Sequence, residues 1–150
     1  EPAVTRAQQT APLDIANWLT DTPGLLWPKI EHPSDGLMLA ASNAVGRNAM
    51  IDEEVAQFLA GLLLARYPLA LSRRYALAAG SLSSLDGVAV IEAIARRRGL
   101  LLRGGLGDRE KASRVLLQDY RDGLLGRISL ETPATRSAML LDEESAAVAD

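Results

Sequence analysis

Apolar residues recur at helical spacing along most of the chain after residue 36. In the first such run, Leu37, Ala40, Ala41, Ala44 and Val45 fall at i, i+3, i+4, i+7 and i+8. That spacing predicts one buried face of an amphipathic helix. The preceding stretch 27–36, WPKIEHPSDG, holds two prolines and a glycine, so it is predicted to be a loop.

A second helix is expected to start at Asp52, whose carboxylate can cap the free amides of the first turn. It should end soon after Tyr67, because a proline at position 68 cannot continue a helix. Residues 69–77 are predicted to form a short turn or helix. The buried face of the second helix is predicted to comprise Val55, Phe58, Leu59, Leu62 and Leu63.

Two more helices are predicted in the second half of the chain. The third runs from about Asp86 to Arg98 and ends at Gly99, and the fourth runs from Asp108 to about Asp122, before a glycine. The tail after residue 131 is acidic and rich in alanine, and is expected to be loosely ordered or weakly helical. Residues 14–20, DIANWLT, lack a helical period and are predicted to form a short buried strand.

Composition sets limits on the chemistry. The 150 residues contain no cysteine, which excludes disulfides and cysteine-ligated zinc and allows a reducing compartment. No apolar run approaches the roughly 20 residues that a membrane span needs. The net charge is −3, yet residues 96–127 hold nine basic and four acidic residues, a local charge of +5. This asymmetry predicts a surface that faces a polyanion.

The candidate RNA-binding residues come from this basic stretch. Cations at the end of the third helix also offset the negative end of its dipole, which accounts for one or two of them. For the rest, charge alone leaves RNA contact and an ordinary solvated surface equally open. Because no aromatic residues are interleaved, any recognition should be of backbone and shape. The candidates are Arg96, Arg97, Arg98, Arg103, Arg109, Lys111 and Arg114.

The stretch DTPGLLWPK, residues 21–29, is the candidate nucleotide motif. In P-loop hydrolases, an aspartate in this position orients magnesium through water, and the glycine brings its N–H close to the γ-phosphate. Taken alone, Asp21 to Gly24 also fits a simple β-turn after a strand. The rest of a nucleotide site is absent: Lys29 and Lys111 do not follow a glycine, so there is no phosphate loop, and no Asn-Lys-x-Asp segment reads guanine.

Several stretches together resemble the YlqF/RbgA family of circularly permuted, ribosome-assembly GTPases. They are PAVTRAQQ (2–9), DTPGLLWPK (21–29), a helix beginning IDEEVA (51–56), and RGLLLRGGLGDREKASRVLLQDYRDGLLGRISLE (98–131). The likeness extends over most of residues 2–131. In this family the phosphate loop and the guanine-reading segment precede the switch threonine and DTPG, so the resemblance places them before residue 1.

The resemblance implies roles for three residues in GTP and magnesium binding. Thr5 matches the switch threonine that binds magnesium in the GTP state, Asp21 the aspartate that holds magnesium through water, and Gly24 the γ-phosphate contact. Ala3 stands where family members usually have glycine. Leu25 stands where Ras-like enzymes carry a water-positioning glutamine, so the water must be activated by another group. No catalytic residue is assigned within this chain.

The resemblance also implies a fold and a role. The chain is expected to be mainly α: residues 1–35 are the end of an α/β P-loop GTPase domain, 36–131 a helical RNA-binding domain, and 132–150 an acidic tail. The parent protein would act in the cytoplasm in late assembly of the large ribosomal subunit, coupling hydrolysis of GTP to GDP to rRNA binding.

The resemblance also implies which partners the protein has. The expected partners are the large-subunit precursor and its rRNA, with neither DNA nor a membrane, and the oligomeric state is open. Because the phosphate loop is missing, the chain alone is expected to bind no GTP or magnesium and to be inactive. Two alternatives remain: a non-enzymatic helical module that binds RNA or protein, and a four-helix domain of unrelated role.

Overall fold

The computed structural model describes residues 8–21, 30, 32–45 and 51–148. Within them the chain is mainly α, as expected from its sequence. Two short strands precede seven helices. They are β1 (Gln9–Pro12), β2 (Trp18–Asp21), α1 (Pro33–Ala41), α2 (Asp52–Arg66), α3 (Pro68–Tyr75), α4 (Ala79–Leu82), α5 (Gly87–Arg97), α6 (Arg109–Arg121) and α7 (Pro133–Val148).

The two strands form an antiparallel hairpin in which Gln9 pairs with Asp21 and Pro12 with Trp18. The turn between them is closed by Asp14, whose Oδ1 accepts hydrogen bonds from the backbone N–H groups of Ala16 and Asn17, both at 2.8 Å. The hydrogen bonds from Asn17 and from the Ala16 amide lower the pKa of Asp14. The prediction of a buried strand is wrong, because every residue of both strands is exposed.

The first predicted helix is shifted along the chain. It begins at Pro33, inside the stretch that was predicted to be a loop, because proline fits the first turn of a helix, where its missing N–H costs nothing. It ends at Ala41, so Ala44 lies beyond it and is exposed. Met38 and Ala41 are its buried apolar residues.

The second helix starts at Asp52 as predicted, but Asp52 does not cap it. Ile51 is the N-cap residue and makes no side-chain capping bond, and the Asp52 carboxylate lies 3.9 Å from Arg114. Its buried face consists of Val55, Ala56, Leu59, Ala60 and Leu63. The predicted members Phe58 and Leu62 are only half-buried.

The predicted third and fourth helices are confirmed as α5 and α6, whose bounds agree with the prediction to within one residue. Asp86 accepts a bond from the Ala89 amide at 2.7 Å and so starts α5. Asp108 accepts one from the Lys111 amide at 3.0 Å and starts α6. Gly99 and Gly123 follow the two helix ends with φ of 67° and 71°, a conformation that favours glycine.

The core forms around α2, which packs against α1, α3, α5 and α6. Its members have almost no exposed surface, and their burial is the main stabilising contribution to the bundle. Among the described residues no single helix is long and apolar enough to cross a membrane. Only α2 and α3 counted together, across a bend of 112°, reach that length and composition. The largest fully buried apolar side chains are Leu59, Leu63, Leu71, Val90, Ile91, Ile94, Leu116 and Leu117.

The segment after α6 is tied back onto the bundle. Arg66 donates to the carbonyl of Leu130 at 2.6 Å. The tail forms a helix, α7, which is the second of the two states expected for it, and Arg136 near its start pairs with Asp35 of α1. The hydrogen bond from Arg136 lowers the pKa of Asp35, although partial burial opposes the shift.

Candidate functional site

One of the three predicted nucleotide-site residues is described by the structure. Asp21 is the last residue of β2 and lies opposite Gln9 in the hairpin register. Thr5 and Gly24 lie outside the described residues. The described part of the chain holds no group of three or more histidine, cysteine, aspartate or glutamate side chains placed to bind a metal ion.

Four of the seven predicted basic residues belong to two groups of ion pairs on the bundle. The first group lies at the start of α6 and is already paired with carboxylates. Arg109 lies 3.1 Å from Glu53 and 4.0 Å from Glu92, and Lys111 lies 3.0 Å from Asp108. Arg114 pairs with Glu110, one turn away on the same helix. Most of these pairs are well exposed, so they contribute little stability, but they neutralise the charge of this end.

The second group lies where α3 and α5 end, around the buried carboxylate of Asp119. Arg74 donates two bonds to it at 2.7 and 2.8 Å, and the hydroxyl of Tyr75 donates a third at 2.9 Å. A guanidinium nitrogen of Arg98 lies 3.4 Å from the same carboxylate. The Arg98 guanidinium also lies 5.5 Å from the centre of the Tyr75 ring, within cation–π range.

These contacts shift the pKa values of the group in opposite directions. Burial raises the pKa of Asp119, but the bonds from Arg74 and Tyr75 and the nearby positive charges outweigh it, so the net pKa is lowered. Burial and the bond to Asp119 raise the pKa of Tyr75. The carboxylate therefore stays ionised and the phenol stays protonated near neutral pH.

Three exposed arginines near these helix ends form no ion pair with a described residue. Arg97 and Arg103 were candidates from the sequence. Arg73, on the last turn of α3, was missed, because residues 69–77 were treated only as a turn or helix. An arginine pair at positions 73 and 74 was the available signal. Arg96, the remaining candidate, lies 3.6 Å from Glu92.

Comparison with known proteins shows which family shares this sequence. No protein-family model matches. The chain is 36% identical over 145 residues to ribosome biogenesis GTPase A of Bacillus cereus, which covers 95% of this chain and 47% of that protein. It is 34% identical over 135 residues to the protein of the same name from Priestia megaterium, covering 89% and 45%. By sequence, the chain belongs to the ribosome biogenesis GTPase A family.

The relationship reaches beyond bacteria. Mitochondrial ribosome-associated GTPase 1 of Mus musculus is 31% identical over 144 residues, covering 87% of this chain and 44% of that protein. The alignment with the Bacillus cereus protein covers 95% of this chain, so it extends over both the hairpin and the bundle. The chain spans about half the length of the curated relatives it matches.

Proposed function

We propose that this chain is the part of a ribosome-assembly GTPase that links a γ-phosphate switch to a helical, RNA-contacting domain. The observation that carries the proposal is the hairpin register, in which Gln9 lies opposite Asp21. Thr5 is only four residues before Gln9, and four residues span at most about 14 Å even when the chain is fully extended. The hairpin therefore connects the stretch that contains the switch threonine directly to the DTPG aspartate.

The proposed chemistry assigns one role to each residue. Thr5 would bind magnesium directly when GTP is present, and Asp21 would hold it through a water. Magnesium suits such a site because it keeps several waters and takes few protein ligands. The backbone N–H of Gly24 would contact the γ-phosphate, so loss of that phosphate would release this end of the hairpin. Magnesium, when bound, would neutralise charge on the transferred phosphoryl group.

The hairpin itself supports a role as part of a larger sheet. All eight of its strand residues are exposed, including Trp18 and Leu19 at 65% and 55%. A two-stranded hairpin with no covered face is marginally stable in water. We therefore infer that further strands, and with them the phosphate loop and guanine-reading segment, come from elsewhere in the parent protein. The parent would hydrolyse GTP to GDP and act on the large ribosomal subunit precursor in the cytoplasm.

Helix α1 would transmit movement from the switch to the helical bundle. Within the described residues it is the first helix after the DTPG stretch, and contacts fix it to the bundle at both ends. Arg136 pairs with Asp35 in its first turn, and Arg121 of α6 donates to the carbonyls of Ala40 and Ala41 at 2.8 and 2.9 Å. A displacement at the switch would thus reach α6 and α7 through α1.

The test uses the full protein that contains this sequence. Asp21→Asn should lower magnesium-dependent GTP hydrolysis, with and without large-subunit precursor, at least tenfold. Asp122→Asn, which removes an exposed carboxylate after α6, is the matched control and should hydrolyse at the wild-type rate. Unchanged hydrolysis in Asp21→Asn would overturn the switch assignment. For the 150-residue chain alone, measurable GTP affinity that is lost in Gly24→Ala would refute its predicted inactivity.

A non-enzymatic binding module is the second candidate, and one observation favours it. The helices from α1 to α6 form a buried core without any contribution from the hairpin. In that case RNA or protein binding by the full protein would be the same with GTP, with GDP and without nucleotide. A nucleotide-dependent change in affinity for the large-subunit precursor would exclude this candidate.

A further inference from the structure

We propose that the surface that grips the RNA backbone is the end of the bundle where α3 and α5 terminate. This surface, the arginine pole, consists of Arg74 and Arg98, which contact Asp119, and of their exposed neighbours Arg73 and Arg97. The inference rests on the proposed RNA contact and deepens it, because it places that contact away from the start of α6. Half of the pole, Arg73 and Arg74, is absent from the basic stretch that the sequence indicates.

The Asp119 carboxylate brings the two halves of the pole together. Arg74 and Arg98 are 24 positions apart, yet both reach this one side chain, at 2.7 Å and 3.4 Å. Each is preceded by an exposed arginine, Arg73 before Arg74 and Arg97 before Arg98. Those two outer arginines make no ion pair with any residue in the described ranges, so their charges face solvent.

The charge balance separates the pole from the start of α6. The pole has four arginines against one carboxylate, and two helix C-terminal ends subtract about one further charge, which leaves about +2. Near the start of α6, four cations, including Arg96, lie within reach of five carboxylates, and the N-terminal ends of α2 and α6 add about one further charge, so this surface is close to neutral. A polyanion is therefore attracted to the first surface more strongly than to the second.

The geometry of the pole suits phosphates. A guanidinium is planar, carries five N–H donors and can hold a phosphate by two bonds at once. Arg74 donates two of its hydrogen bonds to Asp119, which fixes the plane of the Arg74 guanidinium. The remaining donors of Arg74 stay available, and its side chain is 29% exposed. The side chain of Arg98 is 39% exposed and is held between Asp119 and the Tyr75 ring. Preorganised donors bind with a smaller loss of side-chain entropy.

The pole offers no means of reading bases. Tyr75, its aromatic residue, is 3% exposed and its hydroxyl is bound to Asp119. Base stacking needs an exposed ring. The expected ligand is therefore the phosphate backbone of structured, double-helical RNA, recognised by charge and spacing rather than by sequence.

The test compares two double variants with the same change in charge. Arg73→Gln/Arg97→Gln neutralises the outer arginines of the pole, and Arg109→Gln/Lys111→Gln neutralises two cations at the start of α6. Binding of the full protein to a labelled 20-base-pair RNA duplex is measured by fluorescence anisotropy across a salt series. Circular dichroism checks that each variant is folded, and polyglutamate serves as an acidic polypeptide competitor.

We expect Arg73→Gln/Arg97→Gln to bind at least tenfold more weakly and to reduce the salt dependence by about two phosphate contacts. Arg109→Gln/Lys111→Gln should remain within about threefold of wild type. If RNA binds the wild type but the pole variant loses no more than the α6 variant, the inference fails and the proposed function stands. If the wild type binds no duplex even at low salt, the RNA contact itself fails. Stronger binding of polyglutamate than of RNA would make the pole a protein-binding surface and overturn the proposal.

Discussion

Replacement of Gly87 by alanine should destabilise the bundle, although alanine is the better helix former. A Cβ built at Gly87 overlaps the backbone carbonyl oxygen of Gln57 in α2 and lies 3.2 Å from its carbonyl carbon and 3.4 Å from the amide nitrogen of Gly61. These are backbone atoms of the central helix, so they cannot turn aside as a flexible side chain would. The start of α5 must move away from α2, and overpacking of this kind costs about 1–3 kcal/mol.

Gly61→Ala is the matched control, and its predicted effect has the opposite sign. Gly61 lies within α2 near the same helix crossing, but a Cβ there meets no atom within 4 Å. Alanine should therefore stabilise the helix by about 0.5–1 kcal/mol, because it loses less backbone entropy on folding than glycine does.

Urea and thermal unfolding, followed by far-ultraviolet circular dichroism, measure both variants against wild type. For a chain of this size, 1 kcal/mol corresponds to a shift in Tm of about 2–4 °C. The two single-methyl additions should thus move Tm in opposite directions. If Gly87→Ala unfolds at or above the wild-type temperature, α5 does not cross α2 as closely as described.

Two further predictions concern ion pairs. Asp119→Asn should lower the free energy of unfolding by about 2–4 kcal/mol at pH 7, against about 0.5 kcal/mol for the exposed control Glu110→Gln. Because the folded-state pKa of Asp119 is lowered, its contribution to stability is complete above about pH 5 and is lost as the pH falls below about 4. The unfolding free energies of wild type and Asp119→Asn should therefore converge in acid. A difference between them that stays constant with pH would contradict this. Asp35→Asn should speed amide hydrogen exchange in the first turns of α7 while changing global stability by less than about 1 kcal/mol; unchanged exchange would show that Arg136 does not secure α7.

Local signals in the sequence predicted much of the fold. The third and fourth helices begin beside Asp86 and Asp108 as predicted, and in the structure these carboxylates cap them, since a capping carboxylate needs only amides three residues away. The errors occur where the same residue serves two purposes. Pro33 lies in a predicted loop but starts α1, and Asp52 starts α2 while its carboxylate faces Arg114 rather than the helix amides. A proline or an aspartate indicates a helix boundary, but tertiary contacts decide whether that residue ends a helix, starts one or caps it.

The nucleotide motif and the basic surface differ in how far sequence can predict them. A motif such as Asp21 to Gly24 is contiguous, so it can be found along the chain even where its structure is not described. A surface charge is a sum over residues from different helices. The stretch 96–127 is strongly basic along the chain, yet Glu53 and Glu92 come from two other helices to neutralise its Arg109.

The arginine pole shows the converse effect. Arg73 and Arg74 lie 22 residues before the basic stretch, and only the buried Asp119 brings them beside Arg98. Asp119 was counted as reducing the positive charge of that stretch. In the folded chain it instead gathers arginines from two helices, with a lowered pKa that keeps it ionised. A single buried carboxylate can therefore build a basic surface, which no count of charges along the sequence would predict.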